Sequence, residues 1–515
     1  MRIVFRTDAS RKIGSGHVMR CLTLAKALKK EGAKCKFICR DKKINFIEKI
    51  KKNGFEVILL PTFKQAKKIQ RNKDTGPTYS DWIGVSWRED AKQTINALSK
   101  EKIDWLIIDH YGIEKQWQKK LRPFTKKIMV IDDLANRNHD CDLLLDQNLI
   151  ANFKNRYKNL LPKYCNTLLG PQYALLQAEY KNLHLSAPFR SGPIKHILVY
   201  FGGTNQNKLK DLTLSAFLKL NREDVILDVI VGSNSSKKDK IERLSKRNKN
   251  IKIYKELTSL APLMLKADIA IGACGATSWE RCCLGLPSIV ITIADNQKPI
   301  AKELHKQGII CWLGHHDAIT SNSIHDALKT YIYQNLETWS GACKLVTNGC
   351  GTEKVVSILT INSKTKLKLR FAKTEDEGLL LNWANDPLVR ANAFNSGIIT
   401  KKVHKKWFYS RLNNPKVYKI FIVETKDEVP IGQVQFEKKG RKCYISYSIA
   451  NFARGKKIGS KFLKTAIYEF KKNQKIKLTA EVKKNNIPSC KVFEKIGFTK
   501  SSANKHNSNV FIYQF

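Results

Sequence analysis

Near the N-terminus, the run RTDASRKIGSGHVMRC places Arg6, Asp8 and Ser10 after a short apolar stretch. Gly14 and Gly16 then make a turn, His17 opens a helical pattern, and Arg20 and Cys21 follow one turn later. The carboxyl end of a parallel strand at a glycine turn is where α/β sheets bind ligand. Free N–H groups at the following helix start suit a phosphate. They also disfavour the charged form of a histidine, so His17 could be neutral and take a proton from water. The same residue could instead be a surface or capping histidine.

A second candidate lies in GACGATSWE, directly after the apolar run Ile269–Ile271. Gly272 and Gly275 would let the backbone approach a ligand. Ala276, Thr277 and Ser278 would start a helix whose N–H groups can hold a diphosphate. Glu280 falls in the first turn, where a carboxylate can accept both hydroxyls of a ribose or serve as a helix-dipole partner. Gly202 and Gly203, in FGGTN, could reach the diphosphate from the opposite edge. Asn296 and Gln297, at a strand end, could touch sugar or phosphate or could cap their loop. A third run, SYSIANFARGKKIGSKFL, reads as strand, loop and helix.

These residues need elements to hold them. Strands are expected at Ile3–Arg6, Cys35–Cys39, Val57–Leu60, Trp105–Asp109, Ile128–Ile131 and Leu143–Asp146, alternating with helices. That alternation implies a parallel sheet covered on both faces. The pattern restarts at HILVYFGGTN, with strands at Asp224–Val231, Ile251–Tyr254, Ile269–Ile271 and Ser288–Ile293. Gln177–Pro193 would be the hinge. The expected fold is α/β: two Rossmann-like lobes in a GT-B arrangement, residues 1–180 and 181–361, with a nucleotide sugar in the cleft. A polar, lysine-rich linker, 362–368, precedes an α+β domain at 369–515. There, Thr374 and Glu377 suggest a capping box. Further strands are expected at Lys419–Glu424, Ile431–Phe436 and Cys443–Ile449.

The N-terminal run closely resembles the opening of the UDP-2,4-diacetamido-2,4,6-trideoxy-β-L-altropyranose hydrolases of pseudaminic acid synthesis, relatives of the MurG-type glycosyltransferases. LLLDQN, with Asn148, is a further matching stretch, as are LLGPQYALL, FGGTN, GACGATSWERCCLGLPSI and ADNQ; together they run in order to about residue 360. The resemblance makes His17 the general base and Glu280 the ribose acceptor. It departs at Asn205, where the family often has Asp. It implies inverting attack of water on the anomeric carbon as UDP leaves, with helix ends and backbone amides receiving the charge and no metal. Adjacent His315, His316 and Asp317 are not at metal-ligand spacing.

The loop Arg454, Gly455, Lys456, Lys457, Ile458, Gly459, Ser460, after Ile449, resembles the pyrophosphate loop of GCN5-related N-acetyltransferases (GNAT). Its backbone N–H groups would form an anion nest for acetyl-CoA. Lys457 replaces the middle glycine, which threatens a positive-φ position. Downstream, AEVKKNNIPSCKVFEKIGF resembles the family's second half, with Asn485 at the usual asparagine position. Phe493 stands where the family often has the tyrosine that protonates the CoA thiolate. The segment Trp383–Phe408 resembles both the amino-sugar and the ribosomal-protein acetyltransferases. Fusion favours the amino sugar, because 4-N-acetylation of UDP-4-amino-4,6-dideoxy-N-acetyl-β-L-altrosamine would yield the hydrolase's own substrate.

Bulk properties set the alternatives. The 515 residues, 42% hydrophobic and 27% charged, are ordinary for a globular protein. There is no apolar leader pattern and no run long enough for a membrane span, and thirteen cysteines without paired CxxC motifs read as reduced thiols. A cytoplasmic location is expected. The formal net charge of +48 would attract polyanions, but the lysines are dispersed and no RNA-binding motif accompanies them. The competing readings are a true GT-B glycosyltransferase joined to a ribosomal-protein-type acetyltransferase, and a nucleic-acid-associated protein acetyltransferase. The sequence sets no oligomeric state.

Overall fold

A computed structural model describes residues 1–9, 13–40, 46–61, 79–98, 102–202, 206–231, 243, 245–255, 257–440, 442–472, 476–501 and 509–515. Ser10, Gly203 and Asn205 lie outside the described residues. The chain parts into two compact units, Met1–Glu353 and Lys354–Phe515.

The first unit holds two sheets. In the first, β1 (Arg2–Thr7), β2 (Lys34–Arg40), β3 (Glu56–Leu60), β4 (Ile103–Asp109), β5 (Thr125–Ile131), β6 (Leu143–Asp146) and β7 (Asn166–Leu169) run in the order β3-β2-β1-β4-β5-β6-β7. All its pairings are parallel. The second has β8 (His196–Tyr200), β9 (Ile226–Val231), β10 (Ile251–Lys255), β11 (Ile269–Gly272), β12 (Ser288–Thr292) and β13 (Cys311–His315), in the order β10-β9-β8-β11-β12-β13, again parallel. The central strands are continuous apolar runs, such as the wholly buried Ser288–Thr292, as expected when helices cover both faces.

Each strand order reverses once, between β1 and β4 in one sheet and between β8 and β11 in the other. The loops leaving those strands diverge to opposite faces, opening a crevice at the carboxyl ends. Topology thus selects the segments after Thr7, Asp109, Tyr200 and Gly272 as the places where ligand chemistry can be built.

In this unit two strands were not anticipated. Asn166–Leu169 and Cys311–His315 are short sheet-edge strands, largely half-buried, so neither has a continuous apolar signature. The segment anticipated as a hinge forms the helix Ala178–His184, and Tyr180 and Ala187 belong to the apolar core on one face of the second sheet.

The second unit is a seven-stranded sheet of β14 (Leu367–Phe371), β15 (Tyr418–Thr425), β16 (Pro430–Lys439), β17 (Lys442–Ile449), β18 (Lys477–Lys483), β19 (Thr499–Ser501) and β20 (Val510–Gln514), ordered β14-β15-β16-β17-β18-β20-β19. Among the described residues its one parallel pairing, β17 with β18, covers Lys442–Tyr444 against Lys477–Thr479. Beyond Tyr444 the two strands part. The capping box expected at Thr374 and Glu377 does not form. Asp376 instead accepts the backbone N–H of Lys373 at 2.8 Å and holds Arg370 at 2.6 and 2.9 Å. Its carboxylate is the stronger acceptor, so Thr374–Asp376 makes a 3-10 turn and the helix begins at Glu377.

Candidate functional site

At the first reversal point, His17 is the second residue of the helix Gly16–Lys30 and is 5% exposed. Its Nδ1 lies 2.5 Å from Oδ1 of Asp109, the last residue of β4. An ionised carboxylate accepts only, so Nδ1 presents a proton to it, and in the neutral imidazole the free electron pair is then on Nε2. Burial opposes ionisation of Asp109, but Arg20 and then His17 outweigh it and hold the carboxyl well below the usual range. Arg20 grips it through two bonds, Nε to Oδ2 at 2.6 Å and Nη2 to Oδ1 at 2.7 Å. The helix start, expected to act on the histidine alone, is joined by this stronger orienting group.

Arg20 also reaches Asp133 at 3.1 Å, and Asp133 accepts the phenol of Tyr111 at 2.5 Å. The Tyr111 ring returns to His17 edge-on, with centroids 4.5 Å apart. His17, Asp109, Arg20, Asp133 and Tyr111 therefore form a closed circuit. Tyr79 and Trp82 pack against the outer side of Tyr111. Of this circuit the sequence had offered only His17 and Arg20. Asp109 carried a usable signal, being an acidic residue at the carboxyl end of a buried strand. Tyr111 and Asp133 carried none.

Arg6 and Asp8, expected at the ligand, are displaced from that role. Both are wholly buried and pair at 2.6 Å, and Arg6 also holds Asp90 at 2.7 Å. Asp8 lies 3.3 Å from Nε2 of His110 and accepts the backbone N–H of Arg40 at 2.8 Å. They tie the end of β1 to Arg40, Asp90 and His110. Gly14 and Gly16 have open space where a side chain would stand. Asn148 is buried, and its N–H donates to Asp146 at 2.9 Å.

At the second reversal point, Gly272 proves to be a packing glycine. A Cβ there would meet the Tyr200 carbonyl at 2.4 Å and Arg281 at 2.6 Å. Gly275 and Gly202 have nothing within 4 Å and leave their backbone open to a ligand. Ala276 caps the seven-residue helix Thr277–Cys283, which carries Glu280. Burial raises the Glu280 carboxyl to about 7 against the opposing hydrogen bond from Tyr180. Its Oε2 is buried with no partner, an acceptor that a ligand hydroxyl would satisfy. Gln297 caps its own loop, accepting the Ile293 N–H at 3.0 Å. Asn296 instead donates to the Tyr111 hydroxyl at 3.4 Å, linking the second sheet's loop to the His17 circuit.

In the second unit, Gly455 has φ 70° and Lys457 φ 57°. The lysine adopts the left-handed conformation that glycine would have taken freely, at a cost of roughly 1–2 kcal/mol. The loop keeps its shape, and Gly459 and Ser460 begin the helix Gly459–Lys471. Arg454 turns back, donating to the Ile449 carbonyl at 2.8 Å and pairing with Asp386 at 2.9 Å, so it braces the loop. Lys456 and Ile458 lie between these points, Ile458 buried. Asn486, not Asn485, stands three residues before Ser489 and caps the helix Ile487–Lys495. The loop and the open edge of β17 after Tyr444 suit a ligand with a diphosphate and an extended amide chain, which acetyl-CoA has.

Among the described residues, no group of three or more His, Cys, Asp or Glu is placed to hold a metal. His315 ends β13 and meets the Thr292 hydroxyl at 3.1 Å. All thirteen cysteines are free thiols. No helix of the described residues is long and apolar enough to cross a membrane.

Residues 196–338 match the glycosyltransferase family 28 C-terminal domain, and residues 366–499 match the acetyltransferase (GNAT) domain. The chain is thus a sugar-nucleotide-related enzyme that joins a family-28-like domain to a GNAT acetyltransferase domain, for which acetyl-CoA is the co-substrate. Over 60% of its length it is 27% identical to the UDP-2,4-diacetamido-2,4,6-trideoxy-beta-L-altropyranose hydrolase of Campylobacter jejuni, covering 97% of that protein. It is 26% identical to an uncharacterised protein of Methanocaldococcus jannaschii, over 99% of both chains. The MurG structure of Acinetobacter baumannii aligns with 70% of this chain and 99% of its own, at 14% identity and a TM-score of 0.47.

Proposed function

We propose that the first unit hydrolyses UDP-2,4-diacetamido-2,4,6-trideoxy-β-L-altropyranose to UDP and the free sugar. In this reading the GNAT domain makes that substrate by acetylating the 4-amino group of UDP-4-amino-4,6-dideoxy-N-acetyl-β-L-altrosamine. The observation that carries the reading is the Asp109–His17 pair at the reversal point of the first sheet. A histidine held as the Nδ1–H tautomer by a buried carboxylate is a base for water, and hydrolysis needs one base. Water adds to the anomeric carbon, His17 takes its proton, and the glycosidic C–O bond breaks with inversion. UDP would lie along the open backbone at Gly202, Gly275, Ala276 and Thr277, with Glu280 accepting the ribose hydroxyls. The similarity to the Campylobacter hydrolase supports the choice of sugar, and the presence of both domains in one chain supports consecutive steps.

The test is to incubate the full chain with the 4-amino nucleotide and acetyl-CoA and to follow products by mass and NMR. The expected order is a 42-dalton gain, the mass that one acetyl group adds, followed by release of UDP and free diacetamido sugar. Sugar transferred to an added acceptor in place of water would make the first unit a glycosyltransferase. A chain that acetylates a ribosomal peptide and never the amino sugar would overturn the reading.

A further inference from the structure

The acetyl-transfer site presents a chemical gap. When an amine takes the acetyl group from a thioester, the C–N bond forms, the C–S bond breaks and the sulfur leaves as a thiolate. A free thiol ionises near pH 8.5, so at neutral pH that sulfur ends protonated. The buried side chains of the helix Ile487–Lys495 are Cys490 and Phe493, and Phe493, 2% exposed, packs among Tyr447, Phe498 and Tyr513. A phenyl ring has no proton to give.

Beside it stands a group that does. The Tyr447 hydroxyl lies 3.1 Å from the Ser489 hydroxyl, and the Tyr447 ring meets Phe493 edge-on with centroids 5.7 Å apart. Ser489 is four residues before Phe493, one turn earlier on the same helix face. Tyr447 is three residues beyond the last β17–β18 pair, inside the wedge where the strands part. Two residues further on, β17 ends at Ile449, and the Arg454–Gly459 loop follows. At about 3.3 Å per residue, Tyr447 sits roughly 7 Å back along the strand from that end. An amide chain anchored by its diphosphate at the loop and paired along the open edge of β17 brings its far end into this wedge. Tyr447 and Ser489 are both half-buried, so each can meet a ligand.

We propose that the Tyr447–Ser489 hydroxyl pair is the proton donor to the departing CoA sulfur. The Tyr447 hydroxyl hydrogen passes to sulfur as the C–S bond breaks. Ser489 turns its own hydrogen to the Tyr447 oxygen and regains one from water, and the amine releases its surplus proton to water. Burial, partly offset by the Ser489 hydrogen bond, raises the Tyr447 phenol above its usual range and keeps it protonated across the working pH. The proposal rests on acetyl-CoA use and is independent of which amine accepts the acetyl group.

The test uses the full chain and CoA itself, without turnover. Thiolate absorbance near 235 nm is titrated for bound CoA, with desulfo-CoA as the blank. A hydroxyl pair aimed at sulfur stabilises the thiolate, so the bound thiol should ionise at lower pH than free CoA. Tyr447→Phe should return it toward the free value with CoA affinity changed less than threefold. Adding Phe493→Tyr to Tyr447→Phe should restore the low value by placing a phenol one ring away. In acetyl transfer with the 4-amino nucleotide, Tyr447→Phe should lower kcat at least tenfold with little change in the KM for acetyl-CoA. A bound thiol that titrates identically in the parent chain and in folded Tyr447→Phe overturns the proposal. Failure of the amino sugar as acceptor would leave the thiol titration intact, and so falls on the proposed pathway alone.

Discussion

The Tyr111 phenol donates to Asp133 in the first sheet's lobe and receives the side-chain amide of Asn296 from the second, at 2.5 and 3.4 Å. Because the same ring lies edge-on against His17, the position of the Asn296 loop bears on the proposed base. Tyr111→Phe keeps the ring and removes both hydrogen bonds. We expect kcat for UDP release to fall roughly tenfold, the equivalent of about 1.4 kcal/mol, with KM nearly unchanged. Asn296→Ala should cost less alone and add little to Tyr111→Phe in a double-mutant cycle. Strictly additive losses would show that the two residues act separately.

Asp109 is the carboxylate behind the proposed base. Asp109→Asn offers His17 either an oxygen or an amide, and the amide would turn the imidazole to the wrong tautomer. Hydrolysis should fall ~10²–10⁴-fold, as it should in His17→Gln, and the double variant should be no worse than the poorer single one, because the pair works as a unit. The substitution also weakens the acceptor for Arg20, so folding should be checked by UDP binding, which should persist. Near-parental turnover in a folded Asp109→Asn chain would remove the dyad.

Most of the fold was legible because its signals are local. Short, largely apolar runs such as WLII and SIVIT mark buried parallel strands, and the restart at HILVYFGG marks the second lobe. Asn166–Leu169 and Cys311–His315 were missed because half-buried edge strands need no continuous apolar run. For the site, a glycine turn opening a helix placed His17 in the sequence. Its partners come from 92, 94 and 116 residues away, at Asp109, Tyr111 and Asp133, and only strand order brings them together. Arg6 and Asp8 misled for a related reason. A charged pair beside a glycine loop looks ligand-facing in sequence, whereas Asp90, 84 residues from Arg6, draws the arginine inward.

Glu280 yields a pH-dependent expectation. Its carboxyl is raised to about 7 by burial, so the free enzyme passes from mostly neutral to mostly ionised between pH 6 and 8. The ionised form is the better acceptor for ribose hydroxyls, with such charged hydrogen bonds worth roughly 1.5–3 kcal/mol. Glu280→Gln should raise the KM for the nucleotide sugar about 10–100-fold at pH 8 and less at pH 6, with kcat largely retained. The advantage of UDP over 2′-deoxy-UDP as a ligand should shrink in the same variant. A loss confined to kcat would instead assign Glu280 to the chemistry.

Lys457 holds a backbone conformation, φ 57°, that disfavours any residue with a Cβ. Two opposing effects follow from replacing it with glycine. Removing the left-handed penalty favours the folded state by roughly 1–2 kcal/mol, while the extra freedom of glycine in the unfolded chain takes back about 0.5–1 kcal/mol. Lys457→Gly should therefore be neutral to slightly stabilising, by up to ~1.5 kcal/mol, when unfolding of the acetyltransferase unit is followed in urea. Binding should move the other way if the ammonium meets the CoA phosphates. We expect the Kd for acetyl-CoA to rise several-fold at ~0.1 M salt, where charges act over about 10 Å, and the difference from the parent chain to narrow at 1 M, where that reach falls to about 3 Å. Lys457→Ala separates the two effects, since it keeps the strain and loses the charge. It should match the glycine variant in affinity and fall below it in stability. An alanine variant that binds acetyl-CoA as well as the parent would leave Lys457 a strained spacer with no part in holding the phosphates.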